Sequence, residues 1–351
     1  MFQDKIDKWL YSKEEINSRK ISDIFYIQWE SKKPPKVYWL DTLPKCTIYK
    51  KIMWRECKKN VTICGNIERN KRLNSKLNIY YKGIDTVELS IPLLKSNLQK
   101  CIRRKLTRCA LISSYQLIEN NLIEFLRRIS IIMLEDCILH SSFSVIMWMI
   151  SAYPEWVPDY RCRSWLFGVV YLLCEGKYRE FYDKNSFSIF SNIREVNMMN
   201  NDYKNLLYSM ELRKSYGGLK GDIGMISYLT NKWFDRFKNN RDVNKYLSVK
   251  IEMIKIKDNI EIDDIHLSSI DFHICSIVKR LKKEFNDISE DDLKNSMWYF
   301  RSGCNLRDKF PYSDDEKVIN LNKYKSVWLK IEKRVKKISE NYRYNYFDKS
   351  I

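Results

Sequence analysis

The chain has 351 residues, 44% hydrophobic and 14% aromatic, which excludes a disordered polypeptide and predicts a sizeable core. With nine glycines and seven prolines, folds that need a tight turn every ten residues or so are disfavoured, and long helices are expected. The formal charge is +19, from 63 Lys and Arg against 44 Asp and Glu; it points to a polyanion partner, since neutralised phosphates release counterions, although a coding bias toward Lys, Asn, Ile and Tyr gives a plainer source.

In chain order, residues 1–99 read as a smaller mixed α/β region. Amphipathic stretches at Lys5–Tyr11 and Ile21–Trp29 precede a break at Lys32–Pro35. Val37–Leu40, Thr47–Trp54, Val61–Cys64, Leu77–Tyr81 and Ile84–Ile91 read as short extended segments by their alternation and ring content. Rings and cations interleave at Tyr49, Lys50, Lys51, Trp54 and Arg55. On one sheet face they would stack bases and hold phosphates; the commoner arrangement buries the rings and turns the lysines out.

Residues 100–183 carry the clearest helical signal and are expected to form a helical bundle core. Leu98–Ile118 has no Gly or Pro, and Leu122, Phe125, Leu126, Ile129, Ile132 and Met133 share one helix face. Phe143–Ile150 and Trp165–Cys174 supply two more apolar helices, the second with Asp159 as entry cap. Neither resembles a membrane span: uncharged Cys137–Pro154 holds a His and several Ser, and Trp165–Cys174 is too short. Residues 184–351 read as a helical C-terminal region with charged linkers. Its helices are expected at Asn205–Lys214, at Ile223–Phe237 capped by Asp222, at Ser269–Phe285, Asp291–Tyr299 and Val327–Ile338, before a frayed tail.

The ten cysteines are spread from Cys46 to Cys304 without a CxxC pair, and the N-terminus lacks an apolar signal core. Free thiols, a reducing compartment and an intracellular, nuclear or cytoplasmic location are expected. No GxxxxGK[ST] occurs, so a P-loop ATPase is disfavoured. Three histidines, with no GxSxG and no HExxH, leave hydrolytic triads and zincins poorly supplied. No cofactor is expected. The nearest approach to a metal site is Asp271–Cys275, with His273 and Cys275 joined by Cys304 and His266, but structural zinc shows tighter paired spacings. The adjacent acids Glu135-Asp136 and Asp263-Asp264 point in different directions and make poor co-ligands.

Two features remain as candidate polyanion contacts. Gly217, Gly218 and Gly221 precede Asp222, with Lys220 among them. The segment reads as a helix–helix corner needing positive φ, or as a backbone nest holding one phosphate. The arginines Arg103-Arg104, Arg127-Arg128, Arg161 and Arg163 lie beside apolar helices. Their planar forks suit phosphate, or a buried carboxylate such as Glu135 or Asp136, and a bridge within the bundle from Arg128 competes with a nucleic-acid contact.

The stretch Ala110–Asp136, ALISSYQLIENNLIEFLRRISIIMLED, resembles the helical region C-terminal to the motor in clamp-loader-related ATPases of the MgsA and WRN-interacting type. The likeness lies in a helix, a short loop, the arginine pair Arg127-Arg128, an apolar run and the acidic end Glu135-Asp136. Val169–Tyr182 is similar to a later helix of that region, and the resemblance covers about 75 residues by this reading. It implies a collar-like helical bundle tied to replication or repair complexes, able to oligomerise; the missing motor removes any ATPase function. The sequence thus predicts a nucleic-acid-associated helical protein, with protein partners of a replication or repair complex in prospect. Two alternatives stand beside it: a metal-dependent nuclease or transferase at 217–222 and 271–275, and a scaffold that binds other proteins.

Overall fold

The computed structural model describes residues 23–30, 33–68, 89–180, 182, 195–239, 241–256, 264–266, 269, 274–300, 305, 307 and 321–347. It is mainly α, with a small mixed sheet near the N-terminus. Strands β1 (Ile24–Gln28), β2 (Lys36–Leu40), β3 (Thr47–Trp54) and β4 (Lys59–Gly65) lie in the order β2-β1-β4-β3. The β1–β4 pair is parallel and the other two are antiparallel.

Alternation sends Phe25, Ile27, Val37, Trp39, Val61 and Ile63 to the buried face. A register shift between Ile48 and Lys50 inserts Tyr49 as an extra residue, so Tyr49 and Trp54 both reach the core. The ring–cation interleaving here therefore follows the commoner arrangement, rings in and Lys51 and Arg55 out. Ile21–Trp29 contributes a strand, β1. The segments Lys5–Tyr11 and Leu77–Tyr81 lie outside the described residues, as does Ile84–Ile91 apart from its last three positions.

Helices α1 (Ile91–Arg103), α2 (Thr107–Glu135), α3 (Ser142–Ala152), α4 (Tyr160–Glu175), α5 (Asn201–Ser215) and α6 (Lys220–Lys238) follow, then a short α7 (Asn244–Leu247). The gap-free run expected from Leu98 to Ile118 is broken at Arg104–Leu106. Lys105 turns left-handed at φ 56, while the Leu106 and Lys105 N–H groups return to the Cys101 and Ile102 carbonyls. That is a Schellman closure made without glycine. Within α2, Asn121 leaves helical geometry and its Oδ1 accepts the Glu124 N–H at 3.3 Å, capping the second half.

Every residue of α3 is buried, and no helix among the described residues is long and apolar enough to cross a membrane. Asp159 caps α4 through the Cys162 N–H at 2.8 Å. The sheet docks on α3 and α5. The Trp148 Nε1–H is shared between the Phe25 and Cys64 carbonyls at 3.1 and 3.0 Å. On α5, the Asn205 amide accepts from the Trp39 N–H at 3.0 Å and donates to the Val37 carbonyl at 2.8 Å. It thus stands in for a neighbouring strand along the open edge of β2. Sheet and helices α1–α6 share one continuous core.

Residues 249–256, expected as linker, lie across the bundle as a strap. Ile254 N–H donates to the Ser164 carbonyl at 3.0 Å, and the strap crosses α4 at Gly168, where an ideal Cβ would fall 1.8 Å from the Glu252 carbonyl oxygen. The remaining helices, α8 (Ile274–Glu284), α9 (Glu290–Phe300) and α10 (Leu321–Phe347), bury a separate core of Ile277, Val278, Leu281, Leu293, Met297, Ile331, Val335 and Ile338. The tail from Glu340, expected to fray, stays helical to Phe347.

Candidate nucleic-acid interface

Most of the arginines singled out by sequence work inside the protein. Arg103, in the last turn of α1, is buried; its Nε donates to Asp136 Oδ1 at 2.5 Å and its Nη2 to Glu135 Oε1 at 3.2 Å. The neighbouring acids hold its pKa above the ordinary value despite burial. The intrabundle bridge is therefore real, but it starts from Arg103, and Arg103 is corrected from a phosphate contact to a buried partner of Asp136. Burial and the adjacent Asp136 charge raise the Glu135 carboxyl, although 28% of its side chain still meets solvent. Gln99 joins the set, donating to Glu135 at 2.9 Å and Asp136 at 2.8 Å and accepting from Arg128 at 3.3 Å. Arg104 is half-buried at the end of α1.

The structure brings the second arginine pair and the glycine segment together. Arg127 donates to Glu124 at 3.3 Å and to the Tyr216 carbonyl at 3.2 Å. Arg213, on α5, was not singled out by sequence, yet it holds the centre of this corner. It donates to Ser130 Oγ, the Gly217 carbonyl and the Arg127 carbonyl at 3.0, 2.8 and 3.3 Å. Burial and the nearby Arg127 charge push its guanidinium down to about 10. Gly217 and Gly218 adopt φ 71 and 149, the corner that the glycines predict. The N–H groups of Tyr216 and Gly217 close α5 on the Arg213 and Lys214 carbonyls, so the phosphate nest loses its Gly217 donor. Asp222 sits in the first turn of α6, whose entry residue is Leu219, and so it is corrected from the cap. There its carboxylate already meets the helix dipole, near Gly218. Lys220 is exposed at this corner, and Gly221 has nothing within 4 Å of an added Cβ.

Arg161 donates to the Glu30 carbonyl and lies 5.2 Å from the centre of the Trp29 ring. Arg163 pairs with Glu119. His140, one of the three histidines, is buried. Its Nδ1 accepts the Ser142 N–H at 3.1 Å, and its Nε2 donates to the Val249 carbonyl of the strap at 2.8 Å. Burial pushes its pKa down to about 4. Among the metal candidates, His273 and Cys304 lie outside the described residues, and Cys275 is placed only as a backbone position on α8. The His266 N–H donates to Asn97 Oδ1 at 2.9 Å. No group of three or more metal-ligating side chains occurs among the described residues.

Two features escaped the sequence. The first is Arg307, buried, whose guanidinium donates to the Ile102, Cys174 and Gly176 carbonyls at 2.9, 3.1 and 3.0 Å. Asn305 beside it donates to the Asp136 carbonyl at 2.7 Å. Together they serve the C-terminal ends of α1, α2 and α4, where orphan carbonyls and negative dipole ends collect.

The second is the outer face of α10. This helix holds eight Lys and Arg against two Glu. Ile331, Val335 and Ile338 point inward, so Lys330, Lys333 and Lys337, at i, i+3 and i+7, share the opposite face, flanked by Lys325 and Lys336. All five are exposed, and none makes an ion pair with a described residue. On the same helix, Lys323 pairs with Asp292 at 2.7 Å, and Arg334 grips Glu284 of α8 through Nε at 2.8 Å to each oxygen. Those two links fix α10 on its neighbours and leave the lysine row outward. Lys279 and Lys283 add exposed charge on α8. No family model, curated protein or solved structure matches this chain.

Proposed function

We propose that the protein associates with nucleic acid, and that the lysine face of α10, with Lys279 and Lys283 of α8, is its main phosphate contact. The observation that carries this reading is a row of five exposed lysines with no ion pair to a described residue, in a chain of formal charge +19. Lys330 to Lys337 spans about 11 Å at 1.5 Å per residue, and flexible stems extend that reach over several phosphates. Lysine is a hydrated point charge, which favours backbone contact over base reading. Lys220, Arg127 and Arg128 at the α5–α6 corner offer a smaller second contact. The non-ATPase accessory role in replication or repair rests on the resemblance of 110–136 and 169–182, and protein partners of such complexes belong to the same proposal.

The test is the salt dependence of binding to a duplex oligonucleotide, followed by fluorescence anisotropy. Replacing Lys330, Lys333, Lys336 and Lys337 together by Gln is expected to reduce the log–log salt slope by up to about 3.6, at about 0.9 per phosphate contact. A slope equal to that of the unaltered protein, at equal thermal stability, would remove α10 from the interface.

A further inference from the structure

The outer face of the sheet carries its own arrangement of rings and cations. Helices α3 and α5 pack on the face that holds Trp39 and Tyr49, so the alternate residues of each strand point the other way. Register sets Tyr38 opposite Tyr26, Tyr26 beside Cys64 and Cys64 beside Ile48, a row across all four strands. The next row is Leu40, Ile24, Thr62 and Lys51. Ile24 and Cys64 are buried within these rows, whereas Tyr26 and Tyr38 are half-buried and Ile48 and Lys51 are exposed. The Tyr26 and Tyr38 ring centroids lie 6.4 Å apart, with 32° between the planes.

Charge on this face has one sign. The four strands hold four lysines and no Asp or Glu. Lys50 turns to the Tyr153 carbonyl. Lys36, two positions from Tyr38 on the same face, and Lys51 are exposed, and neither makes an ion pair with a described residue. Glu30, just past β1, is taken by Lys33 at 2.7 Å. Asp23 and Asp41 adjoin the end of the β1–β2 pair opposite to Lys36.

From this geometry we infer that the outer sheet face holds single-stranded nucleic acid, one base on each of Tyr26 and Tyr38 and the adjoining phosphates on Lys36 and Lys51. The inference rests on the nucleic-acid reading above and adds to it a second surface and the form of the strand. A ring fixed in a sheet stacks only on a base whose own face is free, and in a duplex both faces are covered by neighbouring pairs. Two rings on adjacent strands receive successive unpaired bases, and lysines without carboxylates let the backbone run beside them. The α10 lysines contact phosphates of either form; the tyrosine pair selects the unpaired one. Such a cross-strand pair also stabilises the sheet, so the test must separate stacking from folding.

The experiment follows, by anisotropy, binding of the full-length protein to a fluorescein-labelled oligothymidylate and to a duplex oligonucleotide. Tyr26→Leu combined with Tyr38→Leu is expected to weaken oligothymidylate binding by about tenfold or more, with duplex affinity kept within about twofold. Tyr26→Phe combined with Tyr38→Phe retains both rings and should bind oligothymidylate as the unaltered protein does. A smaller loss in the Leu variant, or an equal loss in the Phe variant, would overturn the inference. If the Leu variant folds poorly, the unaltered protein still decides. An oligothymidylate carrying 5-iodouracil should photocrosslink to Tyr26 or Tyr38 in a mapped digest, and crosslinks confined to other residues would remove the sheet face. The two surfaces fail separately. Oligothymidylate binding that is lost with the α10 lysines and kept in the Leu variant removes only the sheet face. An unchanged duplex salt slope in the α10 variant removes only α10, and binding to neither probe removes both.

Discussion

The bundle and the C-terminal three-helix unit use positive charge in opposite ways. In the bundle Arg103, Arg213, Arg236 and Arg307 are all buried, each guanidinium distributed over two or more acceptors. Arg236 holds Glu180 at 2.6 and 3.2 Å and lies 4.6 Å from the Trp233 ring. In α8–α10 the charge is mainly lysine and faces water. A rigid five-donor fork can satisfy many buried acceptors at once, whereas an ammonium is strongly hydrated and stays at the surface. Arginines beside apolar helices are thus readily taken up by buried acceptors of the fold, whereas lysines opposite an apolar stripe stay in water.

That contrast can be broken, starting with the largest expected effect. Arg103→Met leaves Asp136 buried and short of its partner; a loss of about 3–5 kcal/mol in urea unfolding is expected. A loss below about 1 kcal/mol would mean that the buried arginines are as dispensable as surface ones. Next comes acid. His140 is neutral in the fold, with its pKa pushed down from 6.5 to about 4. Its contribution is complete above about pH 6.5 and disappears as the pH falls toward 4, because the unfolded chain takes up the proton first. The expected loss is on the order of 3 kcal/mol. His140→Gln should flatten that part of the pH–stability curve, and an unchanged curve would clear His140 of the effect. Gly168→Ala drives a methyl into the Glu252 carbonyl; about 1–3 kcal/mol is expected, with faster amide exchange at Ile254 as the strap lifts. Smallest of all, Gln at Lys330, Lys333, Lys336 and Lys337 should leave stability within about 0.5 kcal/mol per site. A larger drop would show that the lysine row serves the fold.

Short-range order was legible in the sequence. The 3- and 4-residue spacing from Leu122 to Met133 put those side chains on the buried face of α2, Asp159 capped α4, and the paired glycines marked the positive-φ corner. What failed to show were contacts between residues far apart in the chain. Arg307 reaches back 205 positions to Ile102, Asn205 reaches 166 to Trp39, and no local pattern distinguishes either residue from a surface polar group. The start of α6 lies three residues before the one that Asp222, a good cap by type, predicts, because the backbone enters the helix at Lys220. The break before α2 has no glycine to mark it, because Lys105 does what glycine usually does. The arginine pairs announced their chemistry but not their partner: only tertiary structure decides whether a fork beside an apolar helix meets phosphate or Asp136. The α10 lysines were visible as charge, but which of them share an outward row depends on the packing of Ile331, Val335 and Ile338.

The reach of Arg307 also governs how the molecule can be divided. A fragment cut between Leu247 and Asn305 keeps every helix of the bundle, yet strips the plug from the ends of α1, α2 and α4. Its exposed carbonyls would have to be rehydrated inside a packed wall, so a fragment meant to isolate the bundle should carry residues 305–307 with it.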